Sequence, residues 1–179
     1  MKLRSLIVVA GTTAAFAAAA PSSMAAGVDL SVSGTTLGSL ALTVSTPAVF
    51  ATNFSPGNTA SASGIVLATS TSPSWTLTAE DAGTGAGKMI AGAGACTGSD
   101  ATLTNALKLT VNGAALTGSQ SAGQKTLSAT PQTVAQATTG SLLPIAAAPL
   151  TVAYSQVIPT SQVMTEGCIY SLTTTFTLS

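Results

Sequence analysis

The sequence predicts an all-β domain, an antiparallel β-sandwich or flattened barrel of about nine or ten short strands with long Gly/Ser/Thr-rich loops. Three observations carry this. Apolar residues alternate with threonine and serine at period two in segment after segment. Glycine, proline and β-branched threonine recur too often to leave a periodic helical window of about ten residues. Turn-forming clusters return roughly every 8–15 residues. With 46% hydrophobic residues and a mean hydropathy of +0.53, the chain is too apolar for disorder despite its Ser/Thr/Gly content.

Residues 1–25 read as a secretory signal peptide. Lys2 and Arg4 precede an apolar run from Leu6 to Ala20, and the small residues Ser23 and Ala25 stand before an expected cleavage near Ala26. Gly11, Thr12 and Thr13 interrupt the run, which argues against a spanning anchor. Residues 26–179 then form a single secreted β domain, with one core and no length for two.

In chain order, Val28, Leu30 and Val32 alternate with Asp29, Ser31 and Ser33 as a first strand. Leu40, Leu42 and Val44 make a second, which Pro47 closes. Ala48 to Phe54 contains Phe50 and Phe54 and runs into the turn Ser55-Pro56-Gly57-Asn58. Ile65-Val66-Leu67-Ala68 reads as a central strand. Ser74 to Glu80 follows, holding the only tryptophan, with Trp75, Leu77 and Ala79 on one face and Thr76, Thr78 and Glu80 on the other.

Asp81 to Lys88 is glycine-rich and ends in lysine, yet Met89 follows where a phosphate loop needs Ser or Thr and a helix; a loose hairpin tip accounts for it. Leu107, Leu109 and Val111 form a strand, and Asn112-Gly113 predicts a tight hairpin after it. Gln120 to Gly140 supports one or two short edge strands, Leu142 to Pro149 a loop, and Leu150, Val152 and Tyr154 a strand that Pro159 ends. The last segment alternates most cleanly: Tyr170, Leu172, Thr174, Phe176 and Leu178 share a face, opposite Ser171, Thr173, Thr175 and Thr177.

Composition excludes several function classes. After cleavage, Lys88, Lys108 and Lys125 stand against Asp29, Glu80, Asp81, Asp100 and Glu166, three minus five, a net of −2. Three scattered lysines without arginine give no footprint for nucleic acid, and no charge-driven docking to an anionic membrane. No histidine is present, which removes the commonest general base and a favoured metal ligand. No Ser-x-x-Lys offers a substitute base. The adjacent Glu80-Asp81 reads as a solvated strand end rather than a glycosidase pair. The expectation is a protein that is not an enzyme, with no cofactor, no metal and no membrane insertion once the signal is removed. Cys96 and Cys168 are expected to form a disulfide closing a loop of about 72 residues, as suits an exported domain.

Two of these strands carry a family resemblance. Trp75-Thr76-Leu77, and Tyr170 followed by Phe176-Thr177-Leu178 at the C-terminus, resemble the paired motifs of WxL-type surface domains of Gram-positive bacteria, with Phe176 where the family's distal motif has tryptophan. The resemblance implies a β domain at the cell surface, bound non-covalently to the cell wall through peptidoglycan or to other surface proteins. Trp75, Leu77, Tyr170, Phe176 and Leu178 are then the motif residues. Trp75 is expected first as the largest apolar anchor of the core, and a binding module would in addition show Trp75 or Tyr154 at a groove. Leu143-Pro144 matches only the start of a sortase signal, so attachment is expected to be non-covalent. The alternative is a homo-oligomer, the structural subunit of a surface fibre in which the terminal strand from Ile169 to Ser179 adds to a neighbour's sheet edge.

Overall fold

The structure is a computed structural model that describes residues 26–32, 40–51, 54–70, 74–92, 96, 101–113, 116, 120–137 and 148–179. The expected signal peptide, and all but the last two residues of the expected Leu142–Pro149 loop, lie outside them. Among the described residues, eleven strands form two sheets that face each other without closing into a barrel, the predicted all-β sandwich. The count exceeds the expected nine or ten because some strands are only two or three residues long.

Sheet A runs in the order β3 (Ala48–Phe50), β1 (Ala26–Val32), β11 (Tyr170–Leu178), β5 (Trp75–Asp81) and β9 (Gln132–Ala137), with β6 (Ile90–Ala91) also on β11. Sheet B runs β2 (Leu40–Thr46), β4 (Thr59–Ser70), β10 (Ala148–Val157), β7 (Lys108–Asn112) and β8 (Lys125–Thr126). Every pair is antiparallel except β1 and β11, which run parallel from Gly27↔Ser171 to Val32↔Phe176.

Period-two sequence becomes two faces. β11 buries Tyr170, Leu172, Thr174, Phe176 and Leu178, and β10 buries Leu150, Val152, Tyr154 and Gln156. These rows meet Trp75, Leu77, Ala79, Val66, Leu109 and Val111 in one core. Phe50, Phe54 and Tyr170 make an aromatic group at one end, with Phe50–Phe54 edge-on at 5.2 Å and Phe54–Tyr170 at 6.1 Å.

Pro47 is the single residue between β2 in sheet B and β3 in sheet A. Lacking an N–H, it suits the point where a strand leaves one ladder for another. The turn after Phe54 forms as its sequence demands: Asn58 N donates to Ser55 O at 3.1 Å, and Gly57 takes φ +86°.

The Asn112-Gly113 hairpin does not form. Asn112 stays in β7, paired with Thr151 of β10, while the other partner of β7 is β8, beginning only at Lys125. The long β10 offers β7 five paired positions, a larger gain than an immediate two-residue reversal.

Candidate functional site

The two motif strands are neighbours. β5 and β11 pair antiparallel with Leu77 opposite Leu178 and Ala79 opposite Phe176. Beyond this register, Thr76 and Ser179 exchange backbone hydrogen bonds, which sets Trp75 at the C-terminal end of β11 and opposite Ala137 of β9. Tyr170 lies at the other end, about ten residue positions and roughly 33 Å away at strand rise. The motif therefore brings Leu77, Phe176 and Leu178 together and separates Trp75 from Tyr170.

All five motif residues are buried, Trp75 at 2% exposure. Tyr154 is equally enclosed, so neither ring is displayed at a groove, and Trp75 is the core anchor that its strand alternation predicts. Both occupy the inward face of their strands, where alternation puts them in the core. Every aromatic side chain among the described residues is buried in the same way. None stands on the surface for stacking.

What these strands present outward is hydroxyl. Thr173, Thr175 and Thr177 of β11, with Ser171 more exposed, run beside Thr76, Thr78 and Glu80 of β5. The rows extend onto β9, where Thr78 lies opposite Thr133 and Thr76 opposite Gln136. Thr78 Oγ1 donates to Thr177 O at 3.4 Å across the strands. Lys108 and Lys125 lie on β7 and β8 of the other sheet, opposite Thr126 and Leu109 respectively, leaving Glu80 the one charged side chain in these rows of β11, β5 and β9. A flat array of donors and acceptors with little charge suits neutral, hydroxyl-bearing ligands bound by many weak hydrogen bonds. Alternation on β5 and β11 makes their share legible in sequence; the contribution of Thr133 and Gln136 depends on a strand pairing that no local pattern encodes.

The glycine-rich segment is not a loose hairpin tip. β5 and β6 both pair along one side of β11, and residues 82–89 leave that line between Asp81↔Thr174 and Ile90↔Ser171. Asp81, 4% exposed, holds the excursion. Its Oδ1 accepts from Gly83 N at 2.8 Å and its Oδ2 from Gly87 N at 2.7 Å. A β-carbon on Gly87, at φ +93°, would stand 1.9 Å from Leu127 O, so only glycine fits. Two N–H groups that a phosphate loop would offer its ligand are thus already taken by a carboxylate. Among the described residues, no group of three or more His, Cys, Asp or Glu is placed to hold a metal ion.

Cys96 and Cys168 form the expected disulfide, with Cα atoms 5.6 Å apart. It ties Cys96, which lies in sequence between Ala91 and Ala101, themselves joined by a backbone hydrogen bond, to the residue two before β11. Closing a 72-residue separation is worth about 4 kcal/mol on chain entropy. Such a bridge persists in oxidising compartments. No helix among the described residues is long and apolar enough to cross a membrane.

The interior also carries polar atoms. Tyr154 Oη, Gln156 Oε1 and Thr174 Oγ1 are buried with no hydrogen-bond partner among the described residues. Burial pushes the Tyr154 phenol well above its ordinary range, and the neighbouring Thr174 hydroxyl offsets part of that shift. Gln156 still uses its Nε2, which donates to Asn105 O and Val157 O, each at 3.1 Å. Compared with family models, curated proteins and solved structures, the chain matches none.

Proposed function

We propose that this chain is an exported, non-catalytic cell-surface module that associates with the cell wall without a covalent link, through hydrogen bonds from the outer face of sheet A to peptidoglycan. The observation that carries the reading is the continuous hydroxyl face of β11, β5 and β9. The signal-like N-terminus and the disulfide support export. The motif resemblance to WxL-type domains supports the wall as the destination. In this reading the motif residues build the sheet, and the threonines between them meet the polymer.

The absence of an exposed ring among the described residues sets the character of the binding. Without stacking, each contact is worth about 1 kcal/mol or less, so retention depends on many contacts along a repetitive polymer. The test is co-sedimentation of the mature domain with purified sacculi. The wild type is expected in the pellet, and a Thr78→Ala/Thr175→Ala/Thr177→Ala variant of unchanged melting temperature in the supernatant. A wild type that stays in solution, or a triple variant retained like the wild type, overturns the proposal.

A further inference from the structure

The expected fibre used the terminal strand as donor, but β11 has both sides occupied. β1 covers Ser171 to Phe176 on one side, and β5 with β6 covers Thr174 to Leu178 and Tyr170 to Ser171 on the other. The strand that can be replaced as a unit is instead β1. It enters sheet A between β3 and β11, its partner in β11 begins more than 130 residues later in the chain, and it makes the one parallel pairing among the described residues.

Both walls of the slot that β1 fills have ties besides β1, although among the described residues β1 is the only ladder partner of β3, which otherwise packs on β4. β3 is joined to β2 through Pro47, and β2 pairs with β4 in the other sheet. β11 is held by β5 and β6, and the disulfide lies two residues before its start. β1 is joined to the rest of the fold through residues 33–39, Ser-Gly-Thr-Thr-Leu-Gly-Ser, which contain two glycines and no proline. Within the slot the match is by register: Val28, Leu30 and Val32 stand level with the buried Leu172, Thr174 and Phe176.

We propose that β1 is exchanged between copies of this chain, residues 26–32 of one molecule occupying the slot between β3 and β11 of a second. The contacts are the same whether the strand comes from its own chain or another. The balance is therefore set by protein concentration against the effective concentration of the tethered strand. Reciprocal exchange closes a dimer, and head-to-tail exchange builds a polymer. The inference goes beyond wall binding and holds for the purified chain whether or not sacculi retain it.

Ser31 and Thr175 are register partners, which allows a direct test. Two mature variants, Ser31→Cys alone and Thr175→Cys alone, are mixed at high concentration, incubated and treated with a short bismaleimide. The native disulfide is left intact. Exchange is expected to give covalent heterodimers in excess over either homodimer by at least about tenfold, with the yield falling on dilution. The Ser31→Cys/Thr175→Cys double variant is expected to give a ladder at high concentration and closure within one chain at low. The proposal is overturned if the mixture yields no heterodimer excess, whether the double variant closes only within single chains or fails to cross-link at all.

Discussion

Replacing Asp81 tests whether one buried carboxylate organises the loop between β5 and β6. In Asp81→Ala both acceptors vanish. Gly87 is buried, so its N–H loses a charge-assisted bond with no water to replace it, a cost of about 1–3 kcal/mol. Gly83 is exposed and recovers a bond to solvent, adding about 0.5 kcal/mol. The alanine variant is therefore expected to lose about 2–3 kcal/mol. Asp81→Asn keeps the shape and one oxygen, which can turn toward Gly87 while its amide faces the solvated side, so the loss is expected near 1 kcal/mol. In urea, with a slope of about 1–3 kcal/mol/M, the alanine midpoint falls by roughly 1–2 M and the asparagine midpoint by about half a molar, both at unchanged slope. Equal midpoints for the two variants, or an alanine variant as stable as the wild type, would refute the assignment.

Two further perturbations separate architecture from binding. Trp75→Ala is expected to cost about 3–5 kcal/mol in thermal or urea unfolding, while the fraction still folded sediments with sacculi as the wild type does; unchanged stability with lost retention would make Trp75 a ligand contact. Tyr154→Phe removes a buried hydroxyl without a partner among the described residues, so stability at neutral pH is expected to hold or rise by up to about 1 kcal/mol. The same variant isolates a pH effect: the folded phenol is raised, so its contribution is complete below the ordinary value of about 10. Above that the unfolded chain ionises while folded Tyr154 stays neutral, and stability drops by up to 1.36 kcal/mol per pH unit. Denaturant midpoints measured between pH 9 and 11 should fall more steeply for the wild type than for Tyr154→Phe, and parallel curves would count against the burial of that hydroxyl.

The strands were legible wherever one face is buried and the other solvated, because that environment imposes period two on the residues themselves. Tyr170 to Leu178 and Trp75 to Ala79 show it most clearly, and their adjacency in sheet A follows the pairing that the two motifs suggest. Asp81 corrects the sequence reading: expected with Glu80 at a solvated strand end, it continues the inward row of Trp75, Leu77 and Ala79 and is buried. Burying a charge is costly unless it is paired or hydrogen-bonded. What satisfies that charge is a pair of N–H groups two and six residues on, and a loop that folds back on its own strand leaves only glycine spacing as its trace. Partners distant in sequence left none. The parallel β1–β11 pairing, and the competition in which β10 holds Asn112 in its ladder, depend on which edges remain open after the other strands are placed.

The placement of edges also bears on how copies of this chain meet. With charged residues so scarce, the usual guard of an edge strand, a lysine, stands on β8 as Lys125 but on none of β2, β3 and β9. The sandwich relies on geometry. β3 and β8 are three and two residues long, too short to template a neighbour. β9 is partly covered on its outer side, where Ala135 bridges Ser121 and Ala122 N donates to Val134 O at 3.0 Å. β2 is longer and uncharged, but its pairing shifts register between Val44 and Thr46, and the irregularity interrupts a flat edge. Addition of a strand from outside thus meets a short, covered or irregular edge at each side of both sheets. Replacement of β1 meets a slot with six parallel register positions and a buried row already in place. For a chain that protects its edges mainly by shape, association through an internal strand uses a six-position ladder that a second copy can match residue for residue.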